Sequence, residues 1–176
     1  ELYYAAIRYL KHQGNVPEYS ALSGTSSQRL NAADGFPVIT DWGDPMQYSC
    51  QNNALLGIGD VNTHRDKDLP GSSSTTEEPA RPGAVSSDKT VNVVTATQKV
   101  AQLEGITIAT SFTGRENSAF IAGLAYDSHT KDLRSDLEDK QTVSTYWVDV
   151  REAQVLEPRA RNQYWLAAKY GGFNVP

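Results

Sequence analysis

An α/β fold with a mainly parallel sheet is the architecture this sequence predicts, and three observations carry it. The run Asn53-Ala54-Leu55-Leu56-Gly57-Ile58-Gly59 is apolar and ends abruptly in Asp60. A buried parallel strand delivers a carboxylate in this way to the carboxyl edge of an open sheet, where such sheets place their ligand sites. A second run, Gln141 to Val150, is dense in Val, Thr, Tyr and Trp and apolar on both faces, as a central strand covered on each side must be. Between and after these runs the spacing turns helical over 91–104, 119–129 and 162–170, which gives a βαβ order.

The elements follow in chain order. A first helix runs from the start to about Lys11 and ends near Gly14, with Leu2, Ala5, Ala6, Tyr9 and Leu10 as its buried face. From Val16 to Ser49 the text is irregular, broken by Pro17, Gly24, Gly35, Pro37, Gly43 and Pro45; it reads as an insertion with one short strand at 36–40, packed by Trp42 and Tyr48. After the strand at 54–59 comes a polar loop to Gly71. The stretch 72–87, rich in Ser, Thr, Glu, Pro and Gly, buries too little apolar area to offset its chain entropy and reads as an exposed insertion.

Ser87 or Asp88 caps the next helix, on which Val93, Val94, Thr97, Val100, Ala101 and Glu104 follow helical spacing and Gly105 supplies the stop. Ser118 caps a helix from Ala119 to about His129, with Ile121, Leu124, Ala125 and Ser128 on one face. Gly123 inside it costs helix stability and marks a close-packing point against a neighbour. The last helix, 162–170, is closed by Gly171-Gly172 in the left-handed conformation that ends many helices. Tyr146, Trp147, Tyr164 and Trp165 sit on the second strand and this helix, where burying large side chains builds the layered core.

At 176 residues, 39% of them hydrophobic, the chain supports one compact domain. A net charge of −5, with Lys and Arg scattered, provides no basic stripe to neutralise phosphates and argues against a nucleic-acid partner. No stretch approaches the roughly 20 apolar residues of a membrane span. The apolar opening Leu2-Tyr3-Tyr4-Ala5-Ala6-Ile7, with no initiator Met, reads as part of a longer polypeptide. Cys50 is the single cysteine and closes no disulfide within the segment. His12, His64 and His129 are dispersed and do not form a zinc cluster.

Several separated motifs carry a resemblance. Asp41-Trp42-Gly43-Asp44-Pro45, Cys50-Gln51-Asn52-Asn53, Gly57 through Thr63 and Asp66 through Gly71 are followed by Ile121 through Tyr126, Lys131-Asp132-Leu133-Arg134 and Lys140 through Val150. In this order, over nearly the whole chain, they resemble the PilY/PilC family of type IV pilus-associated adhesins. The resemblance implies a von Willebrand factor A-like, doubly wound sheet. Residues 1–176 would be a single, incomplete segment of it, with surface insertions at about 15–50 and 72–87. It also implies an extracellular protein at the pilus tip or bacterial outer surface that supports pilus biogenesis, surface attachment and sensing. Its expected partners are minor pilins and a host or abiotic surface ligand.

In that family a metal-ion-dependent adhesion site uses an Asp-x-Ser-x-Ser loop, a Thr from a second loop and an Asp at the end of a later strand. Asp60 matches the last of these. No Asp-x-Ser-x-Ser occurs in this sequence, and the two other loops are expected upstream of Glu1. Mg²⁺ takes octahedral oxygen ligands and keeps waters, so such a site leaves a position open for an acidic group of a partner. Asp60 is therefore the candidate ligand for a divalent cation, Mg²⁺ or Ca²⁺, with Asn62, Thr63, Asp66 and Asp68 as nearby binding or water-mediated candidates. As an EF-hand the 60–68 loop fails, lacking the glycine and the final acid, and reads as a solvated turn.

No Gly-x-Ser-x-Gly elbow and no phosphate-cradling Gly-x-x-x-x-Gly-Lys loop is present. The expectation is a protein that binds and does not catalyse. Two alternatives stand beside it: a structural pilus-tip element that packs on minor pilins without its own ligand, and a secreted hydrolase built on His64 and Asp60.

Overall fold

The computed structural model describes residues 1–60, 68–72, 80–111, 118–150 and 161–173. Two strands, β1 (Asn53–Gly59) and β2 (Val143–Asp149), pair in parallel, in register from Asn53 opposite Val143 to Gly59 opposite Asp149. The Val150 N–H extends the ladder to the Gly59 carbonyl at 2.9 Å. The parallel pairing is the one the two apolar runs predict. Seven helices accompany it among the described residues: α1 (Leu2–Leu10), α2 (Pro17–Ser20), α3 (Ser26–Ala33), α4 (Gly83–Ser87), α5 (Val93–Glu104), α6 (Phe120–Thr130) and α7 (Gln163–Gly171).

The inner face of the sheet carries Leu55, Val143, Thr145 and Trp147, and it is met by α1, α6 and α7. α6 is buried nearly all round and not on the single face its sequence suggests, because it lies between the sheet, α1, α5 and α7. Phe120 and Leu124 join one cluster with Tyr4, Val16, Leu69, Val85 and Val93. Ile121 and Ala125 pack with Tyr164 and Ala167, and Ala122 packs with Val100, Leu166 and Tyr170. Gly123 is the close-packing point expected: a Cβ there would lie 2.4 Å from Thr97 Oγ1 and 2.6 Å from Thr97 N on α5.

The outer face differs from expectation. Leu56 and Ile58 on β1 are 67% and 69% exposed, and Tyr146, Val148 and Val150 are exposed beside them. Among the described residues no helix covers this face and no third strand joins the sheet. Among the described residues β2 is therefore not central, and they do not supply the two-sided helical cover of a doubly wound sheet. Both strands nevertheless have the two-sided apolar pattern of strands that are covered twice.

Local departures have identifiable causes. On α1 the buried residues are Tyr4, Ile7, Arg8 and Leu10, while Leu2 and Tyr9 are exposed. The buried face is rotated because Tyr4 and Arg8 are held by polar partners: Tyr4 Oη donates to Asp88 Oδ2 at 2.6 Å, and Arg8 donates to Tyr4 Oη and to the carbonyls of Gln13 and Gly14. Asp88 is thus committed to Tyr4 and Thr90, and Asn92, not Ser87 or Asp88, caps α5 through the Thr95 N–H. Gly105 stops α5 at φ 71° as expected. Gly172 ends α7 at φ −135°, outside the left-handed region.

The insertion before β1 holds α2 and the exposed α3, with a full capping box from Thr25 and Gln28, and 36–40 is not a strand. Trp42 packs edge-on against Tyr9 at 5.7 Å, whereas Tyr48 is exposed and does not pack the loop. In the second insertion, residues 73–79 lie outside the described residues. Its far end is not exposed coil: Gly83–Ser87 forms α4, whose Val85 is fully buried, and Ser72 is buried as well. One apolar side chain seated in the first cluster is enough to fix that short helix.

Two of the sequence motifs meet in a clasp. Arg134, almost fully buried, donates to both oxygens of Asp44 at 2.7 and 2.8 Å and to both oxygens of Asp136 at 2.9 and 2.8 Å. The same clasp is tightened by the Met46 N–H on Asp44 and by Asp132, which accepts from the amides of Arg134 and Gln141. Hydrogen bonding to Arg134 holds the Asp44 carboxyl at about 2, below its ordinary value of 3.8. A depressed carboxylate contributes stability that is present above the unfolded pKa and lost as pH falls through the folded one. Asp44→Asn is expected to destabilise the fold by about 1–3 kcal/mol at neutral pH. In urea unfolding followed between pH 5 and 2, the variant should lose less stability on acidification than the parent. Asp88, whose carboxyl is also lowered, leaves it a residual acid limb.

At the α5–α6 contact, Gly123→Ala forces backbone against backbone and is expected to cost about 1–3 kcal/mol, read as a lowered thermal midpoint. An unchanged midpoint would show that the two helices separate without penalty.

Candidate functional site

The carboxyl edge of the sheet is set by the parallel pairing, which brings the ends of β1 and β2 to one side. Gly59 and Asp149 stand opposite each other there, and Asp60 follows immediately and is exposed. Asp149 points to the inner face. Its Oδ2 accepts from Asn162 Nδ2 at 2.8 Å, while Asn162 Oδ1 accepts from the amides of Tyr164 and Trp165 at 2.9 Å each. One acid at the strand end therefore positions the N-terminus of α7, with its Oδ1 buried and without a hydrogen-bond partner among the described residues.

Asp149 does not stand out in the sequence, because the run Gln141 to Val150 continues one residue past it and does not close on the acid as the run before Asp60 does.

Behind the edge, Trp147 stacks on Tyr164 with ring centroids 4.0 Å apart and planes 9° from parallel. The indole crosses β1 at Gly57, where a Cβ would come within 1.9 Å of Trp147 Cζ3. Any side chain at 57 would displace the ring, so the glycine is required by this close approach. Trp147 and Tyr164 are packing residues, as predicted. Tyr146 is not: it points outward and meets Phe173 edge-on at 6.3 Å.

Beside these residues lies a groove of about 570 Å³. Five consecutive residues of β1, Leu55 to Gly59, line it whichever face their side chains take, while β2 contributes only Trp147. Its wall is therefore the backbone edge of β1 that faces away from β2. α1 forms the opposite wall, and Ile121 and Leu124 of α6 form much of the floor.

The candidate cation ligands fare unequally. Asp60 is exposed at the sheet's carboxyl edge, while Asn62, Thr63 and Asp66 lie outside the described residues, as does His64. Asp68 is not in a solvated turn: it is 5% exposed, beside the fully buried Leu69. The segment is held down by Tyr19 Oη donating to the Asp68 carbonyl at 2.6 Å and by the Val93 N–H on the Pro70 carbonyl at 2.9 Å. Burial pushes the Asp68 carboxyl up, partly opposed by the Arg81 cation. Among the described residues no three His, Cys, Asp or Glu side chains converge as a metal site. The described residues thus offer Asp60 as a single ligand, which is not a complete donor set for Mg²⁺ or Ca²⁺. No helix among the described residues is long and apolar enough to cross a membrane.

Comparison with known proteins agrees with the motif order. The family model described as PilY1 homolog, second domain, matches residues 1–135. The chain is 52% identical over 190 aligned residues to the type IV pilus biogenesis factor PilY1 homolog of Xylella fastidiosa (strain Temecula1 / ATCC 700964). That alignment takes in 100% of this chain and 16% of the relative, so the chain spans about a sixth of the relative's length. No solved structure matches the chain. The motifs joined by the Arg134 clasp, the family match over most of the chain and the end-to-end similarity to this relative converge on one conclusion: the chain belongs to the PilY1 homolog family.

Proposed function

We propose that the chain is part of a type IV pilus biogenesis factor that acts outside the cell as a pilus-associated adhesin, binding and not catalysing. The observation that carries this is the end-to-end similarity, at 52% identity, to a relative named as a type IV pilus biogenesis factor. Within the longer polypeptide the segment contributes the carboxyl-edge half of a von Willebrand factor A-like sheet. The parallel β1–β2 pairing and the strand-terminal acid support that reading, since open parallel sheets bind ligands at this edge.

Asp60 supplies one oxygen ligand to a divalent cation, Mg²⁺ or Ca²⁺, whose remaining ligands come from other parts of the polypeptide. The cation supplies an open coordination position for an acidic group of a surface ligand. Asp60 is exposed and directly follows a strand anchored by its ladder to β2. Minor pilins at the pilus tip are the protein partners in this reading. The apolar outer face of the sheet favours a second reading, a tip element whose main task is packing.

In the full-length polypeptide, Asp60→Ala is expected to weaken Mg²⁺ or Ca²⁺ binding about tenfold or more in calorimetric titration. It should also reduce surface attachment and leave thermal stability within about 0.5 kcal/mol of the parent. Equal cation affinities in the two proteins would reduce Asp60 to a turn residue and shift the weight to the packing reading.

A further inference from the structure

Between Ala21 and Asp41 the chain leaves the body of the fold. Every residue of this stretch except Ala33 is exposed, and α3 at its centre buries none of its side chains. Both ends of the stretch are nevertheless fixed. On one side Val16 is fully buried and Tyr19 Oη donates to the Asp68 carbonyl at 2.6 Å. On the other, Trp42 packs on Tyr9 and donates its Nε1–H to the Ile39 carbonyl at 2.9 Å, and Asp44 is held by Arg134. The stretch is an arm on an anchored root.

The backbone of the arm is specified locally although nothing on it is buried. Thr25 and Gln28 complete the capping box at 2.8 and 3.3 Å, Arg29 donates to the Gly24 carbonyl at 3.2 Å, and Asp34 ends the helix at φ 49° in the left-handed region. Caps alone do not hold such a helix. α3 has eight residues, well short of the roughly 12–15 that are already marginal in water, and most helical stability in proteins comes from packing an apolar face. α3 contributes to none of the core clusters, so the described residues supply little of the packing that this helix requires.

The arm carries the side chains that such packing uses. Leu22, Leu30, Phe36, Val38 and Ile39 are all exposed on it, Phe36 by 74% and Leu30 by 67%. Single exposed apolar residues are ordinary, whereas a concentration of them on one preformed element marks a contact surface. Charge indicates what kind of partner it meets. From 22 to 41 the only charged residues are Arg29, Asp34 and Asp41, so the arm has no field to steer a separate protein or an anionic lipid surface onto it. A small uncharged contact holds when its partner is tethered nearby, because the tether replaces a bimolecular encounter with a high effective concentration. The relative is about six times the length of this chain, which makes the rest of the polypeptide the nearest source of a tethered partner.

We propose that the arm 22–41 docks into an apolar, uncharged recess on another folded region of the same polypeptide, outside residues 1–176. Leu30 and Phe36 are its anchors, and the contact stabilises α3. The arm thereby fixes this domain against a neighbouring one without involving the sheet. This inference rests on the reading of the chain as part of a longer pilus biogenesis factor, and not on its sheet, its cation or its surface ligand.

Hydrogen exchange and photo-cross-linking on the full-length polypeptide test it. In a dilute sample that sedimentation shows to be monomeric, the Leu30, Asn31, Ala32 and Ala33 amides should exchange at least about thirty-fold slower than an unstructured chain. Faster exchange would overturn the proposal. Phe36→Ser combined with Ile39→Ser lies outside the helix and leaves its own sequence untouched. This variant should lower the α3 protection about tenfold or more while the β1–β2 ladder keeps its protection, and unchanged α3 protection would count against docking. Benzoylphenylalanine placed at position 36 should cross-link within the same chain to residues outside 1–176. Cross-links confined to 1–176, formed only to a second copy, or formed only to an added purified minor pilin would each assign the arm elsewhere and overturn the proposal. Cation affinity and surface attachment enter neither readout, so loss of the adhesin reading and an undocked arm are separate failures.

Discussion

Everything in this segment is arranged by the parallel pairing of β1 with β2. Parallel strands cannot be joined by a tight turn, so the chain between Gly59 and Val143 must return across the sheet before the second strand begins. That return contains α4, α5 and α6, and it lands on one face. The same constraint puts both strand ends, with Asp60 and Asp149, on a single edge. An antiparallel pair would have separated these acids by the length of the sheet. The in-register approach is made possible by Gly57, which leaves the space Trp147 occupies over β1, and by Tyr164, which carries the other side of the indole.

Much of the polar sequence that looks functional is spent on holding this arrangement. Asp44, Asp132 and Arg134 come from two motifs of the family resemblance, and together with Asp136 they tie the insertion before β1 to the turn after α6. Tyr4, Arg8 and Asp88 fix α1 against the turn that precedes α5. Glu104 of α5, also buried, accepts from Lys169 and Tyr170 of α7 at 2.6 and 2.5 Å. Tyr3 reaches Thr145 at 2.6 Å and Ser128 at 3.3 Å, linking α1, β2 and α6 at one hydroxyl. Buried charges of this kind are weak evidence for stability but strong evidence for a single geometry, because removing one partner strands the other.

The sequence was legible where local pattern and final environment agree. The two apolar runs gave both strands, the helical spacing between them gave their parallel order, Gly105 gave the end of α5, and Gly123 gave the contact with α5 because a glycine inside a helix has few other uses. Illegible were the features decided by partners far away in sequence. The buried face of α1 turns on Asp88, 84 residues from Tyr4, and no periodicity contains that. Val85 looks like one apolar residue in a polar insertion until the cluster that receives it is known. Asp68 and Asp60 look equivalent in a loop of acids. Only the neighbouring Leu69, drawn into the core, separates the interior carboxyl from the exposed one.

The separation of acids bears directly on which groups are available for a ligand. Asp44, Asp88, Asp132, Asp149 and Glu104 each accept hydrogen bonds that position a helix, strand or turn, so neutralising any of them perturbs the scaffold before it perturbs binding. Asp60 follows the last residue of a strand that is already anchored by its ladder to β2, and it is exposed. Rigid backbone support preorganises a strand-terminal carboxylate, which is a requirement for a ligand held on a regular element. Exposed acids in the 131–140 turn have the charge but not that support. In the proposed binding reading, that support favours the sheet edge over the acidic character of the chain as a whole.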